Sequence, residues 1–554
     1  MTSSPPSAPD IGHPEQRVSP AHSESISRGF ITFLGGPLGH HARIGRQAWW
    51  TPLRTLILTS LVFLSFGYLA KANCTLGSRG EDGMVGLDWS GNRQYASFCY
   101  NDIVPLYGAR GLDEGGFPYA YSWQEGDLTR YMEYPVLGGL FQGLMGFLTR
   151  VFYPVIDLLP GHSIPESGFY FALTAAFMSL MWVITIRMMA ELAGNRIWDV
   201  VLVAASPLVI MHAFTNWDIP SIMAVAGAVL AVKRGHPLWA GILIGLGTAF
   251  KLWPLYILGA YLVLTVRNRT WGPFLKMLGA AIISWLLVNI PVMLAYPAAW
   301  NEFLRLNRER SWEWTTIYAV ISRTTGWPGF DSGGGEPTIL NTLTLLLFIG
   351  ACLAIAIFGI SVQRRPRVAE LIFLIVAAFL LVNKVWSPQY SLWLVIPAVL
   401  ALPRWRLLLT WMIVDALVWP VLMLHMMGTD NKGLPGGMLD LVILTRDGLI
   451  ITMMVLVVLQ MLGRIEDKVS QSHHGLDPLA GAFGQVDRFR LGGMGKNEEE
   501  ATGGASRPDP QNPETLNAPE KIEGGAGSET PDASDASGNI GAPGSRTSEW
   551  NLKE

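Results

Sequence analysis

The sequence predicts an all-α polytopic membrane protein with about twelve transmembrane helices and a large first loop on one face. Three observations carry this reading. Half of the 554 residues are hydrophobic and only 15% are charged, against roughly 25% in an average soluble domain. The charge is concentrated at the two ends, while the middle holds long apolar runs of the kind that cross a bilayer. Lys and Arg recur in every second short loop, which is the signature of the cytoplasmic side. A soluble globular fold is excluded, and a net charge of −3 points to no nucleic-acid partner.

The elements follow in order. The first span lies at about 52–71 and a long polar segment occupies 72–167. Later spans fall near 168–192, 198–214, 218–233, 238–251, 254–266, 273–296, 337–360, 367–383, 388–402, 405–427 and 447–463. Several are short, which is tolerated where a helix lines a cavity or is buried in protein. The apolar stretch 135–149 carries two Gly-rich interruptions and is shorter than a span, so it reads as a re-entrant or juxtamembrane helix. The ends are compositionally different. Residues 1–45 form an N-terminal tail and 466–554 a Gly-, Glu-, Pro- and Ser-rich C-terminal tail, both expected to be disordered. Between them, 46–465 is the membrane domain.

Arg43, Arg46 and Arg54 precede the first span. Arg187 with Arg196, Lys233 with Arg234, Arg267 with Arg269, Arg364 with Arg365 and Arg367, Arg404 with Arg406, and Arg464 with Lys468 mark the following loops on the same side. Both termini are thus expected in the cytoplasm. The opposite, outer side receives 72–167, the turn Thr215–Asp218, the turn Lys251–Pro254, the loop 297–336 and the turn Asn383–Tyr390. These are the segments richest in Trp, Tyr, Asp, Glu, Arg and Asn, so the chemistry is expected there.

Cys74 and Cys99 share the first outer segment. In an oxidising compartment they can pair, and otherwise they remain free thiols. Cys352 lies in an apolar run. Asp102 precedes Ile-Val-Pro-Leu and has two readings. It can cap a helix start, or it can act as a general base that takes the proton of an attacking hydroxyl. Lys251 interrupts an apolar run just before Trp253-Pro254. It either snorkels to the interface or binds an anion, since charge at membrane depth tends to be functional. Lys384, beside Trp386, is a similar case. In the loop 297–336, Arg305, Arg308, Arg310 and Arg323 sit against the positive-inside trend. Pairing with Glu302, Glu309 and Glu313 at helical spacing explains Arg305 best. For Arg308 and Arg310 phosphate pairing stands equally. Asp218 precedes Ile219-Pro220 and reads first as a helix cap, with a ligand hydroxyl as the other reading. Asp415, within an apolar run, should face the protein interior. The first outer loop holds no Asp-x-Asp pair, so a metal-dependent mechanism has no support.

Together, several of these segments resemble glycosyltransferase family 87, multi-span enzymes of the GT-C superfold that build actinobacterial envelope glycans. The resemblance rests on Asp102, Tyr107, Ala109 with Leu112, Gly115 and Tyr119, on Glu133-Tyr134-Pro135, on Asn216-Trp217-Asp218 and on Lys251-Leu252-Trp253-Pro254. It covers about residues 100–400. Where the family carries a His near the start of the span at 388, this chain has Trp386-Ser387-Pro388-Gln389-Tyr390, so Gln389 or Tyr390 would take its place. The resemblance implies inverting transfer of mannose or arabinofuranose from a polyprenyl-phosphate sugar to an envelope glycolipid or polysaccharide, on the outer face of the plasma membrane. No cofactor beyond that donor substrate is implied, and the partners are membrane lipids, donor and acceptor. Asp102 becomes the expected base. Lys251, Lys384, Arg308 and Arg310 become expected phosphate ligands, and Glu133, Tyr107, Asp218, Trp386 and Gln389 further substrate contacts. A transporter or lipid flippase, and an inactive envelope-assembly scaffold, are the alternative readings. No inverted repeat of the kind common in transporters is visible in the sequence.

Overall fold

The computed structural model describes residues 50–491 except 80–84, 160 and 332–334, together with Ile26. The tails 1–45 (Ile26 apart) and 492–554 lie outside the described residues. The molecule is a multi-pass bundle. Among the described residues, seven helices are long and apolar enough to cross a membrane.

Helix α1 (Pro52–Ala72) starts at Thr51, whose hydroxyl accepts from Arg54 N at 3.3 Å, with Pro52 in the first turn, where its missing N–H costs nothing. Its last turn reaches the neighbourhood of Asp102, because Lys71 Nζ donates to Tyr100 O at 3.0 Å. The first loop then forms an antiparallel hairpin of β1 (Gly77–Arg79) and β2 (Val85–Leu87), the short helix α2 (Ile103–Ala109), and a second hairpin of β3 (Trp123–Glu125) and β4 (Leu128–Arg130). These strands were not legible as such in the sequence.

Helix α3 (Val136–Asp157) is 22 residues long, longer than the 135–149 stretch expected. Length and composition alone would let it cross, but both its ends lie at the Asp102 end of the bundle. At its start, a Cβ on Gly138 would come within 3.1 Å of Phe250 O, beside the Lys251 turn. Beyond its finish, Ser163 O accepts from Gly77 N at 3.0 Å, just past the end of α1. The next helix, α4 (Glu166–Leu192), begins there too, with Glu166 accepting from Tyr107 at 2.8 Å.

From α4 onward the chain shuttles between two ends. After a 3-10 turn (Gly194–Val200) and Val201–Ala204 comes α5 (Pro207–His212), capped by Ser206. It is followed by α6 (Ile219–Lys233), α7 (Pro237–Phe250), α8 (Ile257–Asn268) and α9 (Trp271–Ala295). At the Asp102 end α10 (Pro297–Glu309) and α11 (Ile317–Thr325) form the second long loop. Then α12 (Thr338–Ser361), α13 (Val368–Val382), α14 (Ser391–Ala401), α15 (Trp405–Met426) and α16 (Gly436–Met461) complete the bundle. Counting α1, α4, the broken segment ending in α5, then α6 to α9 and α12 to α16, the described chain traverses the bundle twelve times. Helices α6, α7, α13 and α14 are too short to cross alone, and α6, α13 and α14 are buried along nearly their whole length. Surrounding helices therefore face the lipid for them, and the short elements are free to end in irregular backbone at the site.

Close packing positions that backbone. Gly241 and Gly245 on α7 would place a Cβ 2.1 Å from Met277 O and 2.0 Å from Ser284 Oγ on α9. Only glycine permits this approach, the small-xxx-small contact of membrane helices. It holds α7 rigidly, and α7 ends at Phe250 because Lys251 is extended (φ −148°, ψ 143°) ahead of the Pro254 turn.

Two expected boundaries are corrected. The last span was expected at 447–463, but α16 begins at Gly436. The charges that looked like loop are satisfied inside: Asp440 pairs with Arg323 at 2.6 Å, and Arg446 pairs with Asp447 at 2.9 Å and lies 3.5 Å over the Trp386 ring. Nor is the chain disordered from 466. Residues 467–491 fold back across the end opposite Asp102, starting with α17 (Lys468–Ser472). Asp467 bonds Arg367 Nε at 2.9 Å and Arg364, Asp477 accepts from Val368 N at 2.9 Å, and Asp487 accepts from Arg267 Nε at 3.1 Å. Phe483 is buried against Tyr261, with ring centroids 4.9 Å apart. The polar composition hid these aspartates because their partners, arginines for Asp467 and Asp487 and the Val368 N–H for Asp477, lie more than 90 residues away.

Cys74 and Cys99 are joined in a disulfide with Cα atoms 5.5 Å apart. It ties the chain entering Asp102 to the end of α1. Replacing both cysteines by serine is expected to lower stability by about 3 kcal/mol, the loop-closure value for such a span. Thermal unfolding in lipid, with and without reductant, checks this. An unfolding midpoint indifferent to both treatments would mean the bond contributes nothing.

Candidate active site

Four turns meet at one end of the bundle: the start of α2, the start of α3, the turn before α6 and the turn after α7. Asp102 occupies the N-cap position of α2, but its side chain makes no capping bond. Asn101 does that work instead, its Oδ1 accepting from Val104 N at 2.9 Å. The capping reading of Asp102 is therefore corrected. The carboxylate is left for other partners: Oδ2 accepts from Asn216 Nδ2 at 2.7 Å, and the Tyr100 hydroxyl also bonds to it. Its backbone N–H is held by Thr215 O at 2.8 Å. Burial pushes the Asp102 carboxyl above the ordinary range, opposed by the bonds from Asn216 and Tyr100 and by the Lys251 charge, while Glu313 adds to the rise.

Lys251 Nζ donates to Asn216 Oδ1 at 3.1 Å and lies 3.2 Å from Asp218 Oδ1. Two of its three N–H groups are thus used. It sits 5.7 Å from the Tyr134 ring centroid and 5.6 Å from that of Tyr390. Lys251 is buried, so snorkelling to the interface is not its arrangement. Asp218 also fails to cap its helix, a second correction. Its Oδ1 accepts from Trp393 Nε1 at 2.9 Å, and its Oδ2 is buried without a protein partner. Behind this pair Trp253, Trp393 and Tyr390 stack face to face, with centroid separations of 5.4 and 4.1 Å.

The other expected residues divide clearly. Glu133 is locked in a bidentate bond with Arg110, at 2.6 and 2.7 Å; its neighbour Tyr134 reaches the site, accepting from Asn216 at 3.0 Å. Tyr107 points into the core, stacked 4.5 Å from Tyr170 and bonded to Glu166. Trp386 is buried beneath Arg446. Gln389 is buried, and its neighbour Tyr390 supplies the ring that faces Lys251. Arg305 pairs with Glu302 and Glu309, at 2.8 and 3.2 Å, as its spacing suggested. Arg310 pairs with Glu313 at 3.1 Å, whose other oxygen accepts from Ser387 at 2.7 Å. Lys384 Nζ donates to Arg310 O and Asn341 Oδ1, and burial pushes its ammonium down to about 8. Arg308 is exposed, and its side chain makes no bond to another described residue. It borders a groove of about 510 Å³ with Asn301, Asn307, Glu336, Asn341 and Thr342. Asp415 faces the interior as expected, accepting from Ser391 at 2.9 Å.

Asn216, Tyr134, Tyr100 and Glu313 are the residues that composition did not single out as a site, while Tyr390 was one of the two expected in place of the family's His. The first two were visible only as parts of short motifs; nothing in their spacing says that their side chains converge. No group of three or more potential metal ligands occurs among the described residues.

The result is a partly buried carboxylate and a buried ammonium, separated by one amide group and walled by aromatic rings. Such a carboxylate is placed to accept a proton, and such a cation to meet an anion. A search of curated proteins returned no significant match. The family model of glycosyltransferase family 87 matches residues 147–388, from within α3 to the turn before α14, and so includes Asn216, Asp218, Lys251 and Lys384. Over that stretch the chain is similar to glycosyltransferase family 87, and its many apolar helices suit a membrane-embedded enzyme of that kind.

Proposed function

We propose that the enzyme moves mannose or arabinofuranose from a polyprenyl-phosphate donor to a cell-envelope glycolipid or glycan, on the extracytoplasmic side of the plasma membrane. The acceptor's hydroxyl oxygen attacks the anomeric carbon from the face opposite the phosphate. The carbon–oxygen bond to phosphate breaks, the configuration inverts, and polyprenyl phosphate leaves with the bonding electrons. The hydroxyl proton passes to Asp102. The observation that carries this reading is the Asp102 carboxylate itself. It caps no helix and is held by Asn216, one amide away from Lys251.

Lys251 has two tasks in this scheme. Its charge keeps Asp102 ionised against burial, and its third N–H meets the donor phosphate as negative charge grows on the leaving oxygen. Arg308 supplies a second cation for the phosphate from the groove between α10 and α12, and Lys384 supports that groove through Asn341. The disulfide supports an oxidising, extracytoplasmic setting for this face. The basic residues gathered at the far end support cytoplasmic termini.

The test is a transfer assay with purified protein in lipid, radiolabelled polyprenyl-phosphate mannose or arabinofuranose, and an envelope-lipid acceptor extract. Label is expected to move from one of the two donors to the acceptor. Movement only from a sugar nucleotide would overturn the donor class. No movement from any activated sugar would return weight to the scaffold reading.

A further inference from the structure

We propose that Asn216 is the positioning residue of the site, a single amide that orients the Asp102 carboxylate and sets its spacing from Lys251. The proposal rests on the reading of Asp102 as general base.

The orientation of the amide is fixed by chemistry. An ammonium can only donate, so Lys251 takes Oδ1; an ionised carboxylate can only accept, so Asp102 takes Nδ2. The other two capacities are also filled. Nδ2 donates a second time to Tyr134 Oη at 3.0 Å, and Oδ1 accepts from Trp217 N at 2.6 Å. All of the hydrogen-bonding capacity of one asparagine side chain is therefore used. Its three partners outside its own turn lie at the start of α2, the start of α3 and the end of α7. Asn216 itself is buried, 5% exposed, on the turn between α5 and α6. Flipping the amide would set its oxygen against a carboxylate and its N–H group against an ammonium, so the arrangement has one stable sense.

The consequence is directional. A hydrogen bond to the ionised form of an acid favours that form. Without Nδ2, Asp102 keeps its burial and loses a bond to its ionised form, so its protonation moves to higher pH. The other titratable groups facing Asp102 are Tyr100, Lys71 at the end of α1, Tyr134, Lys251, Tyr390 and Glu313. Of these, Tyr134 and Lys251 each lose a hydrogen bond when residue 216 is changed, while Tyr100, Lys71, Tyr390 and Glu313 keep theirs. Asn216→Asp, nearly isosteric, turns the donor into an acceptor and sets a like charge beside Asp102. Asn216→Ala removes the bridge.

The experiment uses the full chain in nanodiscs and two readouts. One is the protonation midpoint of Asp102, from infrared difference spectra with Asp102→Asn subtracted. The other is the acid limb of kcat/KM in the transfer assay. In Asn216→Ala the midpoint is expected to rise by about one pH unit, and further in Asn216→Asp. The acid limb should follow by the same amount, with activity partly recovered at higher pH. A merely structural role would lower transfer at every pH and leave both midpoints in place, and that result in both variants would overturn the proposal. The infrared readout needs no turnover, so it separates the two ways of failing. If the midpoint moves and the limb does not, Asp102 is not the base, and the positioning role falls with it.

Discussion

Asp102→Asn is expected to lower transfer by about 10²- to 10⁴-fold, the contribution usual for a positioned general base. The substitution keeps the shape of the side chain. Its Oδ1 can still accept from Asn216, so the four turns remain together and donor binding should change little. The loss should therefore fall on kcat rather than KM. Two other acids of the first loop cannot stand in. Glu133 is held by Arg110, and Asp88 is paired with Arg93 at 3.0 Å while also accepting from Ser90 N. The wild-type pH profile carries the same argument. Burial raises the Asp102 carboxyl, with Asn216, Tyr100 and Lys251 opposing it. The base works only when ionised, so activity is full above that raised value and declines as pH falls through it. The acid limb should thus lie above the ordinary aspartate value of about 3.9. Steady-state kinetics from acid to neutral pH checks both points. A variant retaining wild-type kcat would remove Asp102 from the mechanism.

Lys251→Ala is the second large effect, expected at about 10²- to 10³-fold in kcat/KM for the donor, on the scale of removing one electrostatic stabiliser. Two penalties combine. Asp218, nearly fully buried, loses its cation and retains an unpartnered oxygen. Asp102 loses the charge that helps keep it ionised. The acid limb should move to higher pH as well. Inhibition by free polyprenyl phosphate should weaken in parallel, because the variant lacks the N–H assigned to the phosphate. Lys251→Arg should rescue little, since a planar guanidinium cannot reproduce a compact ammonium set between Asn216 and Asp218. Unchanged inhibition by polyprenyl phosphate in Lys251→Ala would show that the phosphate is held elsewhere, with the groove beside Arg308 the next place to test.

The two kinds of residue at the site differ in how far the sequence exposes them. Lys251 and Asp102 stand out because charge is scarce in this chain, and a charge beside an apolar run demands an explanation. Asn216 and Tyr134 carry no charge and occupy short turns, where asparagine and tyrosine are ordinary. Their importance comes from three turns converging on one amide, and no local pattern encodes that convergence. Asp102 and Asp218 show the converse. Both sit at helix starts, where capping is the local expectation, yet both carboxylates turn to partners from distant parts of the chain. Desolvated charges gain more from a buried donor or cation than from a cap that Asn101 can supply.

The sequence by itself determined the membrane class, the number of traverses, the alternation of basic and polar turns, and the family resemblance. All of these follow from hydrophobic run length and charge placement, which are local and periodic. The tertiary structure alone decided how far α3 extends beyond the expected 135–149 stretch, that α16 starts ten residues before Arg446, that residues 467–491 pack against the bundle, and which polar groups share a hydrogen bond. Those outcomes depend on pairing across long separations. In a low-dielectric interior each buried charge or amide must find a partner, and only the folded chain fixes which one it finds.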